Sequence, residues 1–190
     1  MAETERSIGE LLDQLQQDIQ DEDFQAGRGT SNEENIHIYG YDPRDEMTVR
    51  CFVARLERNK ALHCRLKSYN LYQVFLEMLQ AKPKVCERIP QLEARKGSRF
   101  LLEKLAGMIT PQAFAEHMAY APHEPGDVVL LHGVGSVYPF MRMHTLLEAI
   151  QPVFSDVPVA VLYPGVYTGR ELKLFNLLPA NEYYRGFNIS

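Results

Sequence analysis

The tightest constraint on the fold is a run of four apolar residues, VVLL at 128–131, with no polar residue among them. A strand with one face in water alternates. A strand that does not alternate must be covered on both faces, as in a parallel sheet held between two helix layers. Pro125-Gly126 turns the chain into this strand. Gly133 and Gly135 take it out again, where the backbone must bend sharply or pass close to another group. Pro139 suits the first turn of a helix, since its missing N–H costs nothing there. A helix over 139–150 is therefore predicted, with Met141, Leu146, Leu147 and Ile150 inward.

Such a strand needs neighbours, and the chain supplies them in alternation with helices. IHIYGY at 36–41 reads as a first strand. Asp42 and Pro43 are the N-cap and first position of a helix running to about residue 59 through Val49, Phe52, Val53 and Leu56. A second strand is predicted at 60–66, a helix at 70–80 and another buried strand, PVAVLY, at 158–163. A short helical turn at 171–177 and a last strand at 184–189, at a sheet edge, complete the series. The expected class is α/β, a mainly parallel sheet of about five strands with helices on both faces. Alternation fails over 85–121, where consecutive helices form an insertion that is a lid, a docking surface or extra packing. Ahead of this single domain at 35–190, residues 1–34 form an acidic head. It comprises an amphipathic helix over 5–19 and a polar loop. Ile8, Leu11, Leu12, Leu15 and Ile19 share one face of that helix, which either lies on the core or docks on a partner.

Composition narrows the function. With 190 residues and 45% apolar content, the chain can bury a sizeable core. The net charge of −5 conceals a −8 head and a +3 body. Phosphates would repel that head, so direct nucleic-acid binding is not expected. No apolar run approaches the roughly 18 residues of a membrane span, and the start of the chain lacks the apolar core of a secretion signal. A cytoplasmic protein with no membrane attachment is the expectation. Cys51, Cys64 and Cys86 are scattered and form no C-x-x-C pair, which argues for reduced thiols and against a zinc site. No metal or cofactor is expected.

Ligands of open α/β sheets bind beyond the carboxyl ends of strands. The candidate contacts are therefore His132, Gly133, Gly135, Ser136 and Arg142 after the VVLL strand, and Asp42 and Arg44 after the first. Tyr163, Gly165, Tyr167, Gly169 and Arg170 follow the PVAVLY strand. The glycine turn at 133–136 reads either as an anion cradle of backbone N–H groups with Arg142, or as an ordinary tight β–α turn. Capping alone accounts for Asp42. The 164–171 loop could hold an anion through Arg170 or brace itself by an Arg170–Glu171 network. The favoured reading is an exposed Tyr/Arg surface for protein contact. Neither G-x-x-x-x-G-K-[ST] nor G-x-S-x-G occurs, and GVGSVY lacks the third glycine of a dinucleotide fingerprint. Nucleotide enzymes and hydrolases lose support accordingly.

The run LLHGVGSVYPFMRMHTLLEAIQPVFSDVPVAVLYPGVYTGRELKLFNLL, with the trailing YYRGFNI, resembles the signature half of the BrxB family. IYGYDPRDEMTVR resembles that family's first strand and helix. The resemblance implies a small component of BREX, a bacterial bacteriophage-exclusion system. Its gene clusters also encode a methyltransferase, a large ATPase and PglZ, an alkaline-phosphatase-like protein. It further implies a RecA-like or P-loop-like sheet without a Walker A motif. The implied role is that of a non-catalytic adaptor with PglZ as direct partner and other BREX components as further ones. The alternative is a nucleotide- or phosphate-ligand-binding regulatory subunit of the same system. No catalytic residue carries over; His132, Gly133, Gly135, Arg142, Tyr163, Gly165, Tyr167, Gly169 and Arg170 do so only as residues of the family pattern.

Overall fold

Five parallel strands run in the order β2-β3-β4-β1-β7 in the computed structural model, which describes residues 7–26, 35–182 and 187–188. They are β1 (Ile36–Tyr41), β2 (Arg65–Asn70), β3 (Asp127–His132), β4 (Val159–Tyr167) and β7 (Phe187–Asn188). Beyond the sheet, β4 folds back on β5 (Glu171–Leu174) as an antiparallel hairpin, and β5 pairs with β6 (Asn181–Glu182). The predicted class, a mainly parallel sheet with helices on both faces, is the one observed. Of the predicted strand at 184–189, residues 184–186 and 189 lie outside the described residues. Phe187 and Asn188 pair with His37 and Ile38 at the sheet edge.

Period-two alternation divides the core into two layers. Ile36, Ile38, Val129, Leu131, Val159 and Val161 face the thicker one, built on α4 (Leu71–Gln80), α7 (Ser98–Met108), α8 (Pro111–Met118), α9 (Val134–Val137) and α10 (Met143–Ile150). Tyr39, Tyr41, Val128, Leu130, Ala160 and Leu162 face the thinner one, built on α1 (Ile8–Asp18) and α3 (Glu46–Leu56). The VVLL strand is thus buried on both sides, as its composition demands. The amphipathic helix α1 buries Leu11, Leu12 and Leu15 under a Ser7–Glu10 capping box. Its apolar face belongs to the core. Short α2 (Glu22–Gln25) places Phe24 against His37, with ring centroids 4.4 Å apart. The insertion comprises α5 (Pro83–Cys86), α6 (Ile89–Lys96), α7 and α8. Leu105, Ile109, Phe114, Ala115 and Met118 pack it onto the sheet.

Three elements differ from expectation. The second strand begins at Arg65, not residue 60, and carries RLKSYN. As an edge strand it alternates exposed and half-buried residues, so its apolar signal was weak, and β3 sets its register by pairing Arg65 with Asp127. The helix expected from Pro139 starts only at Met143: the single turn α9 ends at Val137, and residues 138–142 form a turn, with the Tyr138–Pro139 peptide cis. Residues 164–167 of the loop expected after Tyr163 continue β4, and residues 171–174 of the helical turn expected at 171–177 form β5. Pro164-Gly165 reads as a turn in sequence. Here Pro164 lies at the end of the β1 pairing, opposite Tyr41, and its carbonyl accepts the Phe175 N–H at 2.8 Å.

Candidate functional site

The chain leaves β1 towards α3 on the thin side of the sheet, and leaves β2 and β3 towards α4 and α9 on the thick side. Their carboxyl ends therefore flank a topological switch point, the place where open α/β sheets hold ligands. Glycines line it, and the chain itself packs against each of them. Gly133 is left-handed at φ 74°, and a Cβ there would stand 2.7 Å from Oδ1 of Asn70. That Asn70 oxygen also caps α4 by accepting from the Tyr72 and Gln73 amides. A Cβ on Gly135 would lie 2.7 Å from Cε1 of Phe175. On Gly165, at φ 150°, it would meet the Lys173 carbonyl oxygen at 2.2 Å, and on Gly40 the Gly165 carbonyl oxygen at 2.8 Å. The β4–β5 hairpin is thereby pressed down on β1 and on the 133–136 turn. The glycines permit that close approach. They are packed by protein, and the anion-cradle reading of the turn loses its open space.

Polar groups on the thin side satisfy one another. Tyr41 donates its hydroxyl to Glu46 at 2.5 Å, Arg50 Nε donates to Glu46 at 2.7 Å, and Arg50 Nη2 donates to Ser136 Oγ at 2.9 Å. This relay ties α3 to the turn after β3. Ser136 Oγ accepts this bond from the guanidinium and is held on α3 by it. His132 closes the crevice floor. Its Nε2 is sealed from solvent, has no hydrogen-bond partner among the described residues and lies 3.9 Å from the Glu57 carboxylate. Burial pulls its pKa below the ordinary 6.5, against the opposing pull of Glu57 and Glu46. Asp42 accepts from the Arg44 amide at 2.9 Å and pairs with the Arg44 side chain. The Arg44 side-chain bond first, then the amide bond, holds its carboxyl at about 2. Both residues serve the turn that starts the 3-10 helix Pro43–Asp45.

The expected exposed Tyr/Arg surface does not form. Tyr163 and Tyr167 are each only 2% exposed, because the strand continues and alternation points both rings into the core. Gly169, at φ 83°, makes the hairpin turn, where the Thr168 amide donates to the Glu171 carbonyl at 3.1 Å. Arg170 is exposed and pairs with no carboxylate among the described residues, so the Arg170–Glu171 brace is absent there. Arg142 stands apart from the crevice. With Tyr138, His144, Tyr163 and apolar residues of the hairpin it lines a separate cavity of about 200 Å³.

Sequence reasoning missed Arg50, Glu46, Asn70 and Phe175. The Glu46–Arg50 spacing of four residues was a readable signal for an ion pair. Phe175 gave none, since nothing local tells that it and Asn176 take left-handed backbone at φ 57° and 58°. Among the described residues no group of three or more His, Cys, Asp or Glu could hold a metal ion. Nor is any described helix long and apolar enough to cross a membrane.

Comparison with known proteins bears on the whole chain. No solved structure matches. The family model described as BREX protein BrxB matches residues 67–189, which include β3, the glycine turn and the hairpin. A BREX protein BrxB of Bacillus cereus (strain H3081.97) is 35% identical over 97% of this chain and 98% of its own length. A BREX protein BrxB of Escherichia coli O9:H4 (strain HS) is 30% identical over 94% of this chain and 89% of its own length. On a family match covering more than half its residues and two relatives of nearly matching extent, the chain belongs to the BrxB family of BREX components.

Proposed function

We propose that the chain acts in phage defence as a non-catalytic assembly subunit whose direct partner is the PglZ-like, alkaline-phosphatase-like BREX protein. The observation that carries this reading is the distribution of exposed apolar side chains. Of the five large ones among the described residues, Met47 (67% exposed), Tyr72, Val166 (48%) and Leu177 (85%) all sit at or just beyond the carboxyl ends of β1, β2 and β4 or on the turn leaving the hairpin. The crevice they surround is filled by Phe175 and by the Tyr41–Glu46–Arg50–Ser136 relay. A rim of apolar side chains around a filled crevice suits a flat protein contact better than a small substrate.

The test is direct association of the purified chain with the PglZ-like protein by biolayer interferometry, with Met47→Asp plus Val166→Asp as the contact variant. Both residues are exposed, so the variant keeps its circular dichroism. It should bind about tenfold more weakly or worse, the scale of losing one interface anchor. Failure of the unaltered chain to associate at micromolar concentration would refute the partnership. Equal binding by the variant would refute the rim as the surface. A thermal shift with ATP, GTP or cyclic nucleotides would favour the ligand-binding alternative instead.

A further inference from the structure

We propose that the cavity between the start of α10 and the β4–β5 hairpin is a binding site for a compact organic carboxylate with a short apolar body. The inference is independent of the partner reading above, since none of the rim side chains Met47, Tyr72, Val166 and Leu177 lines this cavity. Three features converge on it. Tyr163 lines the cavity, is 2% exposed, and its hydroxyl has no hydrogen-bond partner among the described residues. That hydroxyl is therefore available to donate to a molecule in the cavity. Burial alone drives its pKa upwards, so it stays a protonated donor. Second, Arg142 lines the same cavity as the N-cap residue of α10, a helix start that no side chain caps. Guanidinium and uncapped backbone amides at a helix N-terminus both favour an anion. Third, Leu172, Leu174 and Leu178 form an apolar wall.

The wall decides between ligands. A bare inorganic anion would leave three leucines uncovered, and a neutral apolar molecule would leave the Tyr163 hydroxyl without an acceptor. A carboxylate on a short branched chain satisfies both. At about 200 Å³ the cavity falls below the roughly 300–1,000 Å³ of drug-sized sites, which excludes nucleotides and favours a ligand of amino-acid size.

The experiment is a heteronuclear NMR titration of the full chain with 4-methylpentanoate, its neutral isostere 4-methylpentan-1-ol, and inorganic phosphate, repeated with Arg142→Gln and Tyr163→Phe. Arg142 is exposed and the phenylalanine keeps the buried ring, so both variants should fold, as their spectra will show. The expected result is saturable shifts around Tyr138 and His144 with a Kd of about 1 mM or lower, the affinity accessible to so small a molecule. Each substitution should weaken binding about tenfold, the scale of one charge-assisted hydrogen bond. The alcohol and phosphate should not saturate. Absence of saturation by the carboxylate at about ten times that concentration would overturn the site. So would equal binding of the alcohol, equal binding of phosphate, or indifference to both substitutions.

Discussion

Gly135→Ala is the sharpest probe of what the glycine turn is for. Gly135 lies within the helical turn α9 and does not need a positive φ, so alanine fits the backbone. Replacing a helical glycine by alanine in a compatible conformation stabilises by about 0.5–1 kcal/mol. Against this, the new methyl would stand 2.7 Å from Cε1 and 3.1 Å from Cζ of Phe175, and 3.3 Å from Cγ of Pro164. The ring must retreat by nearly 1 Å to regain ordinary contact at about 3.5–4 Å. It is braced edge-on by Tyr138, with centroids 6.4 Å apart at 89°. Overpacking of this kind costs about 1–3 kcal/mol, so the single variant should lose about 1 kcal/mol net. That corresponds to a fall of about 2–4 °C in Tm for a chain of this size. In a Phe175→Ala background the obstruction is gone, and the same substitution should become stabilising. The double-mutant cycle, read by urea unfolding at equilibrium, should then give a coupling of about 1–3 kcal/mol. Additivity of the two substitutions within about 0.5 kcal/mol would refute the packing role and return the turn to the cradle reading.

Three further outcomes follow from other parts of the fold. His37, half-buried beside Phe24, has its pKa lowered to about 4 chiefly by desolvation, with Asp18 opposing. Its neutral form is the folded one, so the associated stability is full above pH 6.5 and is lost as pH falls from about 6.5 towards 4. The loss is of order 3 kcal/mol at most, and His37→Leu should flatten urea-unfolding stability across that window; an unchanged slope would show that another group is responsible. Asp127, the buried carboxylate at the start of β3, accepts from Arg65 Nε at 2.9 Å, Tyr120 Oη at 3.0 Å and the Glu124 amide at 3.0 Å. Asp127→Ala should cost about 2–4 kcal/mol by stranding these donors, whereas a loss below about 0.5 kcal/mol would mean that water replaces the carboxylate. Leu15→Ala removes a fully buried side chain of α1 and should cost about 2–5 kcal/mol in chemical denaturation. A near-neutral result would detach α1 from the core and free it for a partner.

The interior of the sheet was legible because burial on two faces leaves a local mark. VVLL at 128–131 and PVAVLY at 158–163 contain no polar position inside the sheet, and no other environment suits them. The edge strand β2 left no such mark, since its identity comes from pairing with β3 and its outer side is wet. The site was legible in the same partial way. Gly133 and Gly135 marked a sharp turn or a close approach, but a glycine does not name what approaches it. The occupants come from Asn70, upstream at the start of α4, and from Phe175, beyond the next strand in a left-handed backbone that its residue type disfavours. Pro164-Gly165 misled for a related reason. Its glycine answers to the carbonyl of Lys173 across a hairpin, and the same two letters in an isolated peptide would be a turn.

That mismatch bears on function. An α/β sheet that used its switch point for chemistry would keep the glycine turn open, because backbone amides stabilise an anion only where the anion can reach them. Here each glycine at the crevice has been used for contact within the chain, and two consecutive residues, Phe175 and Asn176, hold an uncommon backbone conformation beside it. Strain of about 1–3 kcal/mol per such residue persists only where surrounding contacts enforce it. The enforced feature is the seating of the β4–β5 hairpin, and the seated hairpin exposes Val166 while Leu177 projects from the turn that leaves it. On the proposed partner reading the glycines and the outward apolar side chains act together: close packing below fixes the hairpin so that its outer surface presents a constant shape. A rigid surface costs less order on association than a mobile loop. This is the physical reason to look for the family's role in defence on the outer face of the hairpin.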